Sequence, residues 1–458
     1  DAHLNDTKRP AGMRSFTAIW FGQLVSMLGT GMTNFALSFY IFEKTGQATA
    51  LTIAIFCFVA PSIILSPLAG VLVDRWNRKT VIILADLAAG VVTIGWLFVL
   101  STTGDLEMWQ IYLGNFVAGA FNALQFPAFS AAVTMLIPKE QYGRASGMLN
   151  FAGAASEILA PVFAGALLGL FGLVSIMLVD VVTFVVGISI MLLVYIPQPE
   201  PEAVPEGGER PSLLQDSLYG FKYIKERPGL LGLQFAFTAL NFISAFGGVV
   251  VVPMILARTG NSATSLASVQ SIAAFGGVAG GLLMSTWGGP KRKVKGVLLG
   301  MSLENLLGPI VIGLSKAVPG WATGSFITQL FLPVINGSNQ AIWQSKVPPV
   351  VQGRVFATRR MIAQISFPLA LLFAGPLADQ VFEPAMSSDG WAAALFGPLV
   401  GVGPGAGMSL MVLLSGIIGI GVGLIVYAIP SVRNVETILP DFDDVPATAS
   451  SPEARSAA

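Results

Sequence analysis

The chain has 458 residues, of which 54% are hydrophobic and only 11% are charged, and its 25 Lys and Arg balance its 25 Asp and Glu. Soluble domains carry about a quarter charged residues, so this composition excludes a water-soluble protein of this length. A single Cys57 and a single His3 exclude an intramolecular disulfide and any cysteine-based metal site, and they argue against an enzyme that relies on Cys or His.

Apolar stretches long enough to cross a bilayer, about 20 residues each, recur along the whole chain. The first is too long for the apolar core of a signal peptide, so we expect it to be retained as a helix. The sequence therefore predicts an all-α membrane protein with twelve transmembrane helices. The predicted spans are residues 14–42, 47–73, 79–102, 108–136, 141–170, 173–196, 229–257, 262–287, 296–317, 321–343, 358–378 and 407–429.

The distribution of positive charge predicts the orientation of these spans, because Lys and Arg are retained on the cytoplasmic side. With the amino terminus inside, only Lys44, Arg258 and Lys316 of the 25 cations fall outside. Both termini are therefore predicted to be cytoplasmic.

Internal similarity predicts two homologous halves of the same orientation. At an offset of about 210 residues, Pro138 aligns with Pro348, and Gly143-Arg144 aligns with Gly353-Arg354. The predicted organisation is an amino-terminal arm at 1–13, a six-helix bundle at 14–196, a linker at 197–228, a second six-helix bundle at 229–430 and a polar tail at 431–458.

The linker has two parts. Its first half is rich in Pro and Glu and is expected to be solvated, whereas Leu213, Leu218, Phe221 and Ile224 recur at helical spacing. This pattern predicts an amphipathic helix along the cytoplasmic surface. The segment is either a simple tether or a latch between the halves. The tail is expected to be disordered.

Residues 70–79 read Gly-Val-Leu-Val-Asp-Arg-Trp-Asn-Arg-Lys between two apolar spans. This sequence resembles the signature loop of the major facilitator superfamily, with Asn77 in place of the family's second glycine. The resemblance implies the major facilitator fold and a gating loop that closes the cytoplasmic side, formed by Gly70, Asp74, Arg75, Arg78 and Lys79. The alternative is that these charges only set the topology. In the second half Ser285 and Thr286 replace Asp74 and Arg75, which predicts an asymmetric gate.

A second motif lies in the fifth span, where Gly153, Pro161 and Gly165 are similar to the Gly-Pro motif of antiporters in the superfamily. Small residues let helices approach closely, and proline weakens a helix at a bending point. The wider pattern resembles the bacterial drug-proton antiporters of the macrolide-efflux and siderophore-export branch. It implies a monomer in the bacterial cytoplasmic membrane that uses the proton gradient and needs no cofactor or metal.

Four carboxylates lie within predicted spans: Asp86, Glu157, Asp180 and Glu304. Each costs about 2.5–3.5 kcal/mol if it is charged near the bilayer centre, so all four are candidates for proton coupling. Asp86 is close enough to Lys79 to belong to the cytoplasmic charge cluster instead, and Asp180 could cap or pin a neighbouring helix. Glu157 and Glu304 lie nearer mid-span and are favoured for protonation, with an interhelical hydrogen bond as the alternative.

Amide side chains on spanning helices are candidates for contact with the cargo in a cavity near the membrane midplane. Interleaved aromatic residues such as Phe35, Phe121, Phe126 and Trp343 suggest an amphipathic or aromatic cargo, although such residues also pack helices together. No cation was expected deep in this cavity, which favours neutral or cationic cargo. The candidate amides are Gln23, Asn34, Asn122, Gln125, Asn241, Asn336, Asn339 and Gln340.

These observations predict a proton-coupled exporter of lipophilic or amphipathic drugs or secondary metabolites that works by alternating access. Its partners would be a small-molecule substrate and the lipid bilayer, with no nucleic acid. The alternatives are a dedicated exporter of one compound, such as a siderophore or lysolipid, and a receptor that no longer transports.

Overall fold

A computed structural model describes residues 12–66, 69, 72, 76–138, 141–196 and 213–441. These residues form helices joined by turns, and no strand occurs among them. Within this part of the chain nine helices are long and apolar enough to cross a membrane, and Ala48–Ile64 is a shorter apolar helix. The predicted all-α membrane class is confirmed.

The first half contains five helices. Asn77 is the N-cap of the third helix, where its side chain accepts a hydrogen bond from the Thr80 amide. Gly104 is the C-cap of that helix and has the left-handed backbone conformation. The fifth contains two predicted spans, which Gly172 separates at φ 72° and ψ −177°, as the sequence led us to expect. Their bounds are α1 Gly12–Thr45, α2 Ala48–Ile64, α3 Arg78–Thr103, α4 Met108–Leu136 and α5 Tyr142–Leu193.

The second half has more breaks than the sequence predicted. The ninth predicted span divides at Gly308, the seventh divides after Gly248, and the eleventh divides at Ile365. The helices are α6 Leu213–Lys225, α7 Pro228–Gly248, α8 Val251–Arg258, α9 Ala263–Trp287, α10 Lys293–Leu307, α11 Pro309–Leu314, α12 Val318–Lys346, α13 Pro349–Gln364, α14 Ser366–Leu377, α15 Glu383–Ala385, α16 Ala393–Val400, α17 Ala406–Ala428, α18 Pro430–Arg433 and α19 Val435–Ile438.

The chain divides into two compact units that differ slightly from the predicted halves. The first unit contains residues 1–208, 252–271 and 375–379, and the second contains 209–251, 272–374 and 380–458. Within the first unit, the Asp379 carboxylate accepts hydrogen bonds from the backbone amides of Ala48 at 3.0 Å and Thr49 at 2.7 Å. It thereby caps α2, whose own N-cap residue, Gln47, makes no side-chain cap bond.

Each unit has its own buried apolar cluster. In the first, Phe16 of α1 packs with Ile82 of α3, Leu136 of α4 and Met191 of α5. In the second, the cluster joins α6, α7, α10, α12 and α13 around the fully buried Trp343. Many other large apolar side chains are exposed on the helix surfaces, where lipid replaces water.

The amphipathic helix predicted in the linker is present as α6. Its Tyr223 and Ile224 are buried in the cluster of the second unit, and the Arg227 guanidinium lies 3.6 Å from the centroid of the Tyr223 ring. Phe221, which the pattern placed on the apolar face, is 42% exposed instead. Residues 197–212 lie outside the described part.

The connection at 379–406 was expected to be an external flap or a half-inserted loop. A π-helical turn at Ala378–Phe382 leads into α15 and α16, and Met386 and Val400 are buried in a small apolar cluster with α17. Glu383 accepts hydrogen bonds from the amides of Gly405 and Met408, both at 2.9 Å. The segment is therefore a folded cap on the amino end of α17.

The described part of the tail, residues 431–441, is folded against the second unit, although the sequence predicted a disordered tail. Glu436 accepts hydrogen bonds from the amides of Lys293 at 3.0 Å and Val294 at 2.9 Å, which caps α10. Lys346, whose side chain is 4% exposed, forms an ion pair with Asp441 at 2.7 Å. These contacts fix the tail to the second unit.

Candidate functional site

A cavity of about 330 Å³ lies inside the first unit, between α1, α3, α4 and α5, with one side chain from α2. Its wall combines two carboxylates with amide and hydroxyl side chains and with the aromatic rings of Phe58, Trp96 and Phe184. The polar side chains on this wall are Gln23, Ser26, Thr30, Thr33, Asn34, Asp86, Thr93, Asn115, Asn122, Gln125 and Asp180.

Asp86 of α3 is the centre of an amide cluster. Its two carboxylate oxygens accept hydrogen bonds from Gln23 Nε2 of α1 at 3.1 Å and from Gln125 Nε2 of α4 at 2.7 Å. Asn122 Nδ2 in turn donates to Gln125 Oε1 at 3.2 Å, which orients that amide. Four residues that the sequence selected separately are thus brought together.

The alternative position of Asp86, in a charge cluster with Lys79, receives no support from the described contacts of Lys79. Lys79 Nζ instead donates to the carbonyl oxygens of Leu192 and Val194, each at 2.8 Å. These carbonyls belong to the carboxyl end of α5, where a cation interacts favourably with the helix dipole. Gly70, Asp74 and Arg75 of the predicted gating loop lie outside the described residues.

Asp180 of α5 is the second carboxylate of the cavity and is 4% exposed. Its oxygens accept hydrogen bonds from the hydroxyls of Thr30 and Thr93, both at 3.2 Å. Thr33 presents a third, buried hydroxyl beside the same carboxylate but outside hydrogen-bonding geometry. Gly29 makes this arrangement possible, because a Cβ there would overlap the Thr183 hydroxyl and lie 3.1 Å from Asp180.

The two carboxylates lie at different levels of the cavity. Asp86 and Thr93, the partner of Asp180, are seven residues apart on α3, which corresponds to about 10 Å along the helix. Neither carboxylate forms an ion pair with a described Lys or Arg; the ion pairs in the described part involve Lys44, Lys222 and Lys346. The cavity therefore offers two uncompensated acidic groups to a proton or to a cationic ligand.

Sequence reasoning missed the three threonines of this site, and it favoured Glu157, which lies outside the cavity. Thr93 could have been found, because a residue seven positions after Asp86 lies on the same face of α3. Glu157 is exposed, does not line the cavity and forms no hydrogen bond with any described residue. Its predicted role in proton coupling remains a prediction with no geometric support from this cavity.

Glu304 lies in the second unit on α10 and is 3% exposed. Its carboxylate accepts a hydrogen bond from Asn305 Nδ2 at 2.9 Å. The break at Gly308 follows within one helical turn. The acid is thus buried near a discontinuity in a spanning helix, where the sequence placed a proton-coupling candidate.

The amides predicted in the second unit do not form one group. Asn336 and Gln340 line a cavity of about 490 Å³, whereas Asn339 is buried and Asn241 of α7 lies elsewhere. The cavity also contains the half-buried Arg359, which donates to Gln340 Oε1 at 2.8 Å. A cation therefore lies among the candidate amides, contrary to the expectation from the sequence.

The aromatic residues that the sequence suggested for cargo contact are not the ones that line the first cavity. Phe35 and Trp343 are buried in the interior of their units, so they pack helices together. The side chain of Phe126 lies outside the description. The rings that line the first cavity are Phe58, Trp96 and Phe184, none of which was selected from the sequence.

The antiporter-like motif contributes one close helix contact. A Cβ on Gly165 would lie 2.7 Å from the Ala267 Cβ, so this glycine allows α5 and α9 to approach within the first unit. Pro161 is buried within α5, whereas Gly153 faces open space.

Comparisons with known proteins identify relatives over most of the chain. Residues 19–371 match the model of the Major Facilitator Superfamily. Macrolide efflux protein A of Streptococcus pyogenes is 28% identical over 384 residues, covering 80% of this chain and 90% of that protein. The enterobactin exporter EntS of Escherichia coli strain 536 is 25% identical over 345 residues, covering 74% and 80%.

Solved structures extend the similarity to the fold. A bacterial homologue of the human lysosomal transporter Spinster superposes with a TM-score of 0.65 at 15% identity, covering 92% of this chain and 96% of that one. The nucleoside transporter NupG gives a TM-score of 0.69 at 10% identity, covering 90% and 100%. At these identities the likeness concerns the fold alone.

Proposed function

Because this chain belongs to the Major Facilitator Superfamily and is a transporter rather than an enzyme, we propose that it is a proton-coupled exporter of lipophilic or amphipathic drugs or secondary metabolites. The observation that carries this proposal is the cavity of the first unit, in which Asp86 is bonded to the same amides that are candidates for cargo contact. The macrolide efflux and enterobactin export relatives support the direction of transport.

The hydrogen bonds of Asp86 explain how a proton and the cargo would compete. An ionised carboxylate accepts from both Gln23 and Gln125. A protonated carboxyl has one O–H donor and less acceptor capacity, so one of the two amides can turn to accept from the O–H or bond elsewhere. Uptake of a proton at Asp86 therefore changes which amides are available to cargo, as an antiporter requires.

Asp180 is suited to a different part of the cycle. Its partners are hydroxyls, each of which can donate or accept by rotation. Thr30 and Thr93 can therefore satisfy Asp180 in either protonation state. We assign Asp180 to proton exchange, and Asp86 to the coupling of protonation with cargo binding.

The remaining properties follow from the same proposal. The proton gradient is the energy source and no cofactor or metal is required. The protein acts as a monomer in the bacterial cytoplasmic membrane, with both termini in the cytoplasm, in keeping with the distribution of Lys and Arg. A dedicated siderophore exporter is the second candidate, favoured by the enterobactin export relative.

Transport into proteoliposomes with an acidic lumen tests the function. A radiolabelled macrolide and a catecholate siderophore are offered separately outside, and uptake is measured with the gradient and after its collapse by an ionophore. Gradient-dependent uptake of several unrelated lipophilic compounds supports the proposal, and uptake of the siderophore alone favours the second candidate. Binding without gradient-dependent flux would identify a receptor.

A further inference from the structure

The cavity of the second unit contains a guanidinium that no described carboxylate neutralises. Arg359 forms no ion pair with a described residue, and its one side-chain hydrogen bond in that part of the chain is the 2.8 Å contact with Gln340. A guanidinium has five N–H donors in a planar fork that matches a carboxylate. Several donors of a half-buried cation are thus left for a ligand.

The surroundings of Arg359 hold its side chain in place. Its guanidinium carbon lies 5.2 Å from the centroid of a Trp343 ring and 5.9 Å from the Phe356 ring. Both distances lie within the range of cation–π attraction. Because Trp343 is fully buried in the core, the position of the guanidinium depends on the fold rather than on solvent.

The wall around this cation is aromatic and amide-rich. Phe237 and Phe356 contribute rings, and Asn336, Gln340 and Gln364 contribute amides to the cavity of about 490 Å³. Arg360 adds a second guanidinium to the lining. Among the described residues, no carboxylate lines this cavity.

We propose that this cavity binds the carboxylate of an amphipathic aromatic acid, with the acid group on Arg359 and the ring against Phe237 and Phe356. The site rests on the proposed function and extends it, because it would bind an acid group of an exported molecule. The acidic cavity of the first unit is unsuited to bind such a group. It requires no proton gradient, so equilibrium binding tests it separately from proton coupling.

The probes are 1-naphthoate and its neutral isostere 1-naphthamide, titrated by calorimetry against the full chain in phosphatidylcholine nanodiscs. Hydrogen bonds to charged groups contribute about 1.5–3 kcal/mol each, so naphthoate is expected to bind at least about tenfold more tightly than naphthamide. Equal affinity of the two probes would overturn the assignment, and this comparison requires no variant to fold.

Variants of Arg359 test whether this residue causes the preference for naphthoate over naphthamide. Arg359→Gln should abolish the preference for naphthoate while naphthamide still binds, and Arg359→Lys should keep only part of it because an ammonium lacks the planar fork. The exposed Lys295 provides a matched control, since Lys295→Gln removes a cation outside the cavity. An unchanged preference in Arg359→Gln would contradict the proposal.

A last titration tests whether the cavity binds a small acid or an anionic lipid headgroup. One tenth of the phosphatidylcholine is replaced by phosphatidylglycerol, and the naphthoate titration is repeated. Unchanged affinity supports a site for small acids. A tenfold loss would assign the cavity to lipid and overturn the proposal.

Discussion

Replacement of Asp86 by Asn tests the coupling role directly. The substitution preserves the size of the side chain but removes the negative charge and the proton-binding group. It also turns one oxygen that accepts from Gln23 or Gln125 into a donor. An asparagine resembles the protonated carboxyl in having a donor beside its carbonyl oxygen, so the two amides should stay in the arrangement of the protonated state. The variant should therefore bind cargo with the affinity of that state while it loses the proton.

The expected size of the effect follows from the driving force. One proton moving down about 1.7 pH units supplies about 2.3 kcal/mol at 1.36 kcal/mol per unit, which can sustain an approximately fiftyfold gradient of a neutral cargo. With the membrane potential clamped, wild-type proteoliposomes with an acidic lumen should approach that ratio. Asp86→Asn should equilibrate near a ratio of one, yet still exchange labelled for unlabelled cargo.

The control is Asp389→Asn, which makes the same chemical change at an exposed residue outside both cavities. It should accumulate cargo like the wild type. If Asp86→Asn still accumulates cargo about fiftyfold, Asp86 does not carry the coupled proton, and the competition between protonation and amide bonding at this residue is refuted.

Four further predictions address other parts of the molecule. Gly29→Ala should destabilise the protein by about 1–3 kcal/mol because its Cβ would overlap Thr183, whereas Gly95→Ala, which faces open space, should not; thermal unfolding in detergent compares them. The ion pair with Lys44 at 2.5 Å and the hydrogen bond from Tyr40 lower the pKa of Asp105, which lies between the spans. The stabilisation that the ionised Asp105 carboxylate contributes is therefore complete above the unfolded pKa of about 3.9 and is lost as the pH falls through the lower folded pKa. Asp105→Asn should therefore lower the unfolding temperature at neutral pH and approach the wild type below pH 4. Lys346→Met should speed amide hydrogen exchange at residues 435–439 because it removes the bonds from Lys346 to the tail. The control Lys222→Met, which removes an exposed ion pair, should leave that exchange unchanged, and equal exchange rates in both variants would contradict the role of Lys346. Asp74→Asn should impair flux far more than Ser285→Ala, since the hydrogen bond of the Ser285 hydroxyl in the described part of the chain stays within its own helix. Equal losses of flux in the two variants would contradict the asymmetric gate.

Hydropathy and charge were sufficient for the class and for many helix limits. The break between the fifth and sixth predicted spans could be placed from the sequence because a glycine, Gly172, stands between them. In the structure this residue has a φ of 72°, which few other residues accept. The breaks at Gly308 and Ile365 were not predicted, since each lies inside an uninterrupted apolar run. Hydropathy reports the environment of a segment and not the continuity of its backbone.

The candidate site was predicted only in part because hydropathy does not define the rotation of a helix about its axis. The amides Gln23, Asn122 and Gln125 were selected by type and position, and they do surround one cavity. The bonds of Gln23 and Gln125 to Asp86 join residues 63 and 39 positions apart, which no local pattern reveals. Glu157 illustrates the same limit, since it was favoured for its mid-span position alone and its side chain is exposed.

The capping of α10 by Glu436 has a consequence for the biosynthesis of the protein. The amides of Lys293 and Val294 receive their carboxylate partner from a residue 143 and 142 positions later in the chain. At about 5–20 residues per second, roughly 7–29 s separate the synthesis of this helix end from that of its partner. The newly made second unit must therefore pass through a stage in which α10 is inserted but uncapped, and a ribosome that stops before Glu436 would release a chain that cannot complete this end of the unit.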